Sequence, residues 1–218
     1  MAIDTATAAR ALGPTLLRAA WLSILLGIGI ELSIVFVAFG LAAPPSGAAA
    51  VADGVQKVSW SVFVCVGLAL GMVARQMGAS AAGLAGLLSA PLAFIVARAA
   101  HKSVAQVLDL PAIPAAGPSP ALLASVKGVE YAALGLALWW ISRRPWGGMG
   151  AHAAAGTIAG AVFGGAIVAL TVAAAPAPPT AASLLPRILN ELIFPIGCAL
   201  VLYVAGALPT GESDQSGA

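Results

Sequence analysis

LLRAAWLSILLGIGIELSIVFVAFGL, residues Leu16 to Leu41, is the stretch that decides the fold. Beyond Arg18 it carries one charged residue, Glu31. A helix needs about 20 predominantly apolar residues to cross the hydrocarbon core of a bilayer. Crossing by a β-barrel strand would instead show apolar and polar residues alternating over about ten positions. This stretch has the length and lacks the alternation, so it reads as a membrane-spanning helix.

Five further runs share its character. The expected spans are Leu16–Leu41, Val58–Ala74, Ala79–Ala97, Leu122–Ser142, Ala151–Ala173 and Ile188–Leu208. Composition agrees along the whole chain: 61% of its 218 residues are hydrophobic and only 8% are charged. A soluble domain carries about 25% charged residues, and one of this size could not cover its surface with so few. The expectation is an all-α integral membrane protein with about six transmembrane helices, residues 1–209 forming one domain and 210–218 a polar, disordered tail.

Breaks between the spans follow proline chemistry. Ala43–Gly47, Ala-Pro-Pro-Ser-Gly, ends the first helix, and three prolines in Ala175–Thr180 precede the last. The longest connection, His101–Ala121, holds Pro111, Pro114, Pro118 and Pro120 in its second half; its first half, Ser103–Leu108, suits a short interfacial helix. The polar, Ala-rich first fifteen residues do not resemble a removable signal peptide, which leaves the first helix as an uncleaved insertion signal.

Positive charges divide equally between the two ends. Arg10, Arg18, Arg75, Arg143 and Arg144 fall on one side; Lys57, Arg98, Lys102, Lys127 and Arg187 fall on the other. The hairpin arginines, Arg75 and the pair Arg143–Arg144, lie beyond the apolar runs, whereas Lys127 lies within one. That favours a multi-pass protein of the cell (inner) membrane with both termini in the cytoplasm.

Two internal patterns concern packing. Gly67-Leu68-Ala69-Leu70 recurs as Gly135-Leu136-Ala137-Leu138, with Arg75 matching Arg143 in the same register. Met77-Gly78-Ala79-Ser80-Ala81-Ala82 then returns as Met149-Gly150-Ala151-His152-Ala153-Ala154. This suggests a tandem parallel repeat of helices 2–3 in helices 4–5. Gly156, Gly160 and Gly164 place glycine on one helix face, as do Gly67 and Gly71 on the second span and Ala82, Gly86 and Ala90 on the third. These faces suit close helix packing within the chain, in preference to contact with a second copy.

No cofactor is called for. His152 and His101 belong to opposite ends, so they cannot share a haem, and Cys65 and Cys198 lie mid-span, where small buried residues are the expectation over a disulfide or metal ligand. Trp139, Trp140 and Trp146 around Arg143–Arg144 read as an interfacial aromatic belt. A net charge of +2 gives no reason to expect a nucleic-acid partner.

The candidate functional residues are the polar ones inside the spans. Glu31 sits near mid-span, where an acid costs roughly 2.5–3.5 kcal/mol on insertion scales, and no cation lies within four residues of it. Ser23, Gly27 and Glu31 share a stripe expected to face protein or water. On the last span Arg187, Asn190, Glu191, Phe194, Pro195 and Cys198 share a face. Pro195 frees the carbonyl of Glu191 and Pro91 that of Leu87, and discontinuous helices with such carbonyls can bind ions or polar substrates. Lys127 and Glu130 are three residues apart on the fourth span, with Tyr131 beside them. Local pairing of Glu191 with Arg187 and of Glu130 with Lys127 is the simpler account of those residues, as is snorkelling for Lys57, Arg98 and Arg187.

Taken together, Lys57, Arg98, Lys127, Glu130, Arg187, Asn190 and Glu191 describe an outer vestibule above a central acid, Glu31. The chain carries no Gly-x-Ser-x-Gly, no His-Glu-x-x-His, no phosphate loop and no dinucleotide fingerprint. The leading expectation is a non-enzymatic transporter or channel for a small solute or ion, with Glu31 as the coupling or gating carboxylate, since burial disfavours its charged form. The alternative is a non-catalytic subunit or assembly factor of a larger membrane complex, in which Glu31 meets a cation on a partner helix. A lipid-modifying enzyme is the least supported, for want of a nucleophile–base set. Expected partners are the lipid bilayer, a small solute or ion, and either a membrane-protein partner or a second copy.

Overall fold

The computed structural model describes residues 5–73, 79–111 and 117–207, with side chains between 13 and 206 of that set. Arg10, Arg75, Met77–Gly78, Pro114 and the 210–218 tail, all used above, lie outside the described residues or side chains.

Every regular element among the described residues is a helix: α1 (Thr5–Gly40), α2 (Gly47–Val73), α3 (Ala79–Val107), α4 (Pro120–Ile141), α5 (Met149–Ala159), α6 (Gly165–Ala173) and α7 (Ala181–Ala207). A five-residue π-helical turn, Gly160–Gly164, joins α5 to α6 into one rod. Counting that rod once, six helices are long and apolar enough to cross a membrane.

Three starts are capped as the sequence chemistry dictates. The Ser46 hydroxyl accepts from the Ala49 amide at 3.2 Å, Ser119 accepts from Leu122 at 3.2 Å with Pro120 as the first helical residue, and Thr180 accepts from Ser183 at 3.3 Å. Each satisfies an orphan donor of a first turn. Four helices overrun their expected spans: α1 starts at Thr5 in place of Leu16, α7 at Ala181 in place of Ile188, and α2 and α3 also run on. The helix α2 begins at Gly47 and not Val58, because Ala48, Ala49, Ala50 and Ala52 favour helix once Ser46 has started it. The helix α3 continues past Ala97 to Val107, so Ser103–Val107 is the end of α3 and not a separate interfacial helix. No proline or glycine interrupts it until Asp109 turns the chain in the left-handed region, at φ 49°.

The helices form a closed ring. Sequential neighbours α1–α2, α2–α3 and α3–α4 pack along their lengths, α5 and the π turn lie on α7, and α7 returns to α1. Hairpin α2–α3 is thus tightly packed, whereas α4 and α5 meet over a shorter stretch. The apolar windows of α2, α4 and α7 are 44–50% buried, against 28% for α1, α3 and the α5–α6 rod. The outer faces stay apolar: Leu17, Trp21, Leu25, Leu32, Phe36 and Phe39 run exposed along α1. At the centre, the Trp60 ring meets Phe94, Tyr131 and Phe194 edge-on, with centroids 6.5, 5.8 and 6.5 Å away. One aromatic node therefore ties α2, α3, α4 and α7.

Small residues set the spacing. A Cβ on Gly27 would stand 2.7 Å from the Val58 Cα, and the Ser61 hydroxyl donates to the Ser23 carbonyl at 2.6 Å. The Ser23–Gly27–Glu31 stripe accordingly faces α2. Glycines 156, 160 and 164 all face α7: added Cβ atoms would lie 2.5 Å from the Ile196 Cα, 3.0 Å from the Leu192 carbonyl and 2.8 Å from the Glu191 Cβ. The series packs within the chain, as its spacing suggested. Gly86 abuts the Tyr131 carbonyl so closely that any Cβ would overlap it.

Gly86→Ala should therefore push α3 off α4 and destabilise the protein by about 1–3 kcal/mol. Gly29→Ala, where a Cβ meets nothing within 4 Å, should leave stability unchanged or slightly raised. Thermal unfolding in a single detergent compares the two.

Candidate functional site

The end of the bundle away from both termini opens into a cavity of about 630 Å³, within the range of ligand pockets. Helix register explains its lining. Asp53, Lys57 and Trp60 recur at four and three residues on α2; Phe94, Ala97, Arg98 and His101 do so on α3; Arg187, Asn190, Glu191 and Phe194 do so on α7, and Lys127 enters from α4. Charged groups occupy the mouth, and Trp60, Phe94 and Phe194 close the floor. Overrun of α2 and α3 builds the rim, where His101 Nε2 lies 3.1 Å from Asp53 Oδ1.

At the inner wall, Lys127 Nζ lies 2.8 Å from Glu130 Oε2 and 2.5 Å from Glu191 Oε2. It also stands 5.8 Å from the ring centroids of both Trp60 and Tyr131. Lys127 and Glu191 are 7% and 8% exposed, and Glu130 is fully buried. Two acids from different helices thus grip one ammonium over two aromatic faces. Charge-assisted bonds are short and strong in such surroundings, and removing one partner is expensive.

The sequence-derived residues separate into two groups. Lys127, Arg187, Asn190 and Glu191 line the cavity together with Lys57 and Arg98. Glu130 lies behind Lys127, out of the lining. Glu31 also lies behind the wall and is 8% exposed; Lys57 Nζ reaches it at 2.5 Å. The expected lone central acid therefore has a cation from the next helix, and Lys57 turns inward and does not snorkel outward. Glu191 pairs with Lys127 across the α4–α7 interface and not with Arg187 on its own helix. Lys127–Glu130 does pair locally, as expected.

The carbonyls released by the two prolines do not face the cavity either. That of Leu87, opened by Pro91, sits 3.2 Å from where a Cβ of Gly128 would be; that of Glu191, opened by Pro195, sits 3.1 Å from such positions on Gly160 and Gly164. Each proline is matched with glycine on the facing helix, so its effect is close packing. The π turn falls opposite Glu191, an interruption of a kind often found at functional positions.

Gln56 and Ser183 complete the polar lining, whereas His152, Arg143, Arg144 and the two cysteines fall outside this site. His152 is buried at the other end, its Nδ1 3.0 Å from the Gly148 carbonyl. Arg143 and Arg144 cover the Trp139 and Trp140 rings at 4.1 and 4.6 Å, and Trp140 packs edge-on against Trp146. Cys65 and Cys198 are buried, as expected, and their sulfurs also touch across α2 and α7 at 3.1 Å. Sequence reasoning missed Asp53, Trp60 and His101. The four-and-three spacing from Asp53 through Lys57 to Trp60 was the available signal. Among the described residues no group of three His, Cys, Asp or Glu side chains is arranged to hold a metal.

No family model, characterised protein or solved structure matches this chain.

Lys127→Met should cost about 3–5 kcal/mol by stranding two buried carboxylates. Adding Glu130→Gln and Glu191→Gln to Lys127→Met should recover part of that loss. Unfolding temperatures of the two variants in detergent test the order.

Proposed function

We propose that this chain is a multi-pass transporter or channel of the cell (inner) membrane for a small solute or ion, its termini cytoplasmic and its cavity opening to the other side. The observation that carries this reading is the cavity itself. A polar mouth leads between apolar helices to a buried ion cluster, the arrangement a passing solute requires. Intramembrane ionisable residues facing a cavity mark ion and substrate pathways more often than they serve stability alone. Arg143 and Arg144, at the end opposite the cavity, support the orientation. The parallel repeat of α2–α3 in α4–α5 belongs to the same proposal, since the two hairpins run in the same direction.

Within it, the residues take different parts. Arg98 and Arg187 line the approach, with Asn190 as a neutral hydrogen-bonding group. Glu191 is the carboxylate that both lines the cavity and contacts a buried cation, so it is better placed for coupling than Glu31. Glu31 holds Lys57 in the cavity wall and acts on passage through that lysine.

A second reading has an observation of its own. An apolar groove of about 480 Å³ runs between α1 and α7, lined by Leu22, Leu26, Gly29, Ile193, Gly197 and Val201. It would suit a helix of a larger membrane complex, for which this chain is a non-catalytic subunit or assembly factor.

Purified protein in liposomes decides between them. Transport predicts flux of protons, alkali ions or small charged solutes above empty vesicles. That flux should fall roughly tenfold or more in Glu191→Gln, equivalent to ~1.4 kcal/mol at the barrier, and less in Glu31→Gln. Absence of flux across such a panel, with a stoichiometric membrane partner recovered on gentle solubilisation, would overturn it in favour of the subunit reading.

A further inference from the structure

The Lys127 cluster does not balance its charges. Glu130 and Glu191 both contact one ammonium. With both acids ionised, three buried groups carry one uncompensated negative charge. Leaving such a charge in a low-dielectric interior costs several kcal/mol even after relaxation. Both acid oxygens reach the same Nζ, at 2.8 and 2.5 Å, so the two carboxylates share a site in the sense that disfavours double ionisation.

Among the described residues no second cation pairs with either acid. From α2, Lys57 is committed to Glu31. From α3, Arg98 lies over the Phe94 ring at 5.4 Å, and His101 pairs with Asp53 of α2. On α7, Arg187 stands one turn from Glu191, and no ion pair joins them among the described residues. The other titratable groups near the cluster are Tyr131 of α4, whose ring faces Lys127, and the thiols of Cys65 on α2 and Cys198 on α7; none is a cation. One independent feature points the same way. Glu130 is 0% exposed, and its Oε1 has no hydrogen-bond partner among the described residues, a setting poorly suited to a bare anionic oxygen.

We infer that Glu130, Lys127 and Glu191 form a binding site for one exchangeable proton, shared by the two carboxylates and reached from the cavity through Glu191. The deeper Glu130 is its resting place, and Glu191 is the group that meets water. No redox or bond-making step is involved: the proton moves between carboxylate oxygens and cavity water while Lys127 keeps its charge. The site stands on charge and geometry alone. Its use in coupling rests on the transport reading, with a solute cation that reaches Glu191 displacing the proton.

Infrared difference spectroscopy of the full chain in lipid nanodiscs at neutral pH reads the proton directly. Wild type should show the deuterium-sensitive C=O band of a protonated carboxylic acid. Either Glu130→Gln or Glu191→Gln should abolish that band, because one acid against one ammonium needs no proton; Glu31→Gln should leave it. An acid protonated independently of the cluster would lose its band in only one of the two. If Glu130→Gln fails to fold, Glu191→Gln alone decides, since it leaves the proton-carrying Glu130 in place.

Three results would overturn the site: no band in wild type, a band that survives either substitution, or stoichiometric binding of radioactive sodium that Glu130→Gln removes, which would make it an alkali-ion site. Liposome flux separates the two claims. A band behaving as described without flux keeps the proton site and removes the transport reading; flux without the band does the reverse.

Discussion

The grip of Glu130 and Glu191 on Lys127 is the constraint on which the interior depends. It is a strut between α4 and α7, and Trp60 carries it onward to α2 and, through Phe94, to α3. An apolar bundle has little directional force to fix which helix faces which, because side-chain packing tolerates many arrangements. A buried ammonium with two acids tolerates few, since every alternative leaves a charge without a partner. A second, simpler bond, Lys57–Glu31, does the same for α1 and α2. Between them they hold four of the six spans in register around the cavity.

Close backbone approach makes such bonds reachable. The glycine face of α5 and the π turn lets α7 come near enough to present Glu191 inward, and the Glu191 carbonyl that Pro195 releases lies against that face. Gly128 opposite Pro91 repeats the device between α3 and α4. Pro91 in α3 and Pro195 in α7 are thus tolerated because the helix each one faces carries glycine at the matching height. Removing either member of such a match exposes the cost of the other.

Much of this was legible in the sequence, for reasons specific to each feature. Hydropathy located six helices because one property, apolar length, decides them. Four-residue glycine spacing marked the packing face of α5 without naming α7 as its partner, and three-and-four spacing grouped Arg187, Asn190 and Glu191. What escaped was pairing between distant positions. Glu31 has no cation within a turn, so it read as isolated until α2 brought Lys57 beside it. Glu191 has Arg187 one turn away, so the local pair was preferred over Lys127, whose approach depends on the angle between α4 and α7. The Cys65–Cys198 contact and the π turn likewise follow from interhelical distance, on which a linear pattern is silent. The overrun of α3 was discoverable from a run free of proline and glycine, and that of α2 from its alanines after the Ser46 cap, but hydropathy ends a span where apolarity ends.

That overrun has a further consequence. At 1.5 Å per residue, α2 and α3 measure roughly 40 and 44 Å, against about 30 Å of hydrocarbon. In a bilayer, tilt would absorb part of the excess; the remainder would carry the Asp53–His101 rim to the depth of the lipid phosphates. Entry to the cavity would then be through a zone whose charge the surrounding lipids set. Anionic lipids there would gather cations at the doorway and thin out anions, within a screening distance of about 8 Å at physiological salt. On the transport reading proposed above, the membrane's own composition would become part of the protein's selectivity.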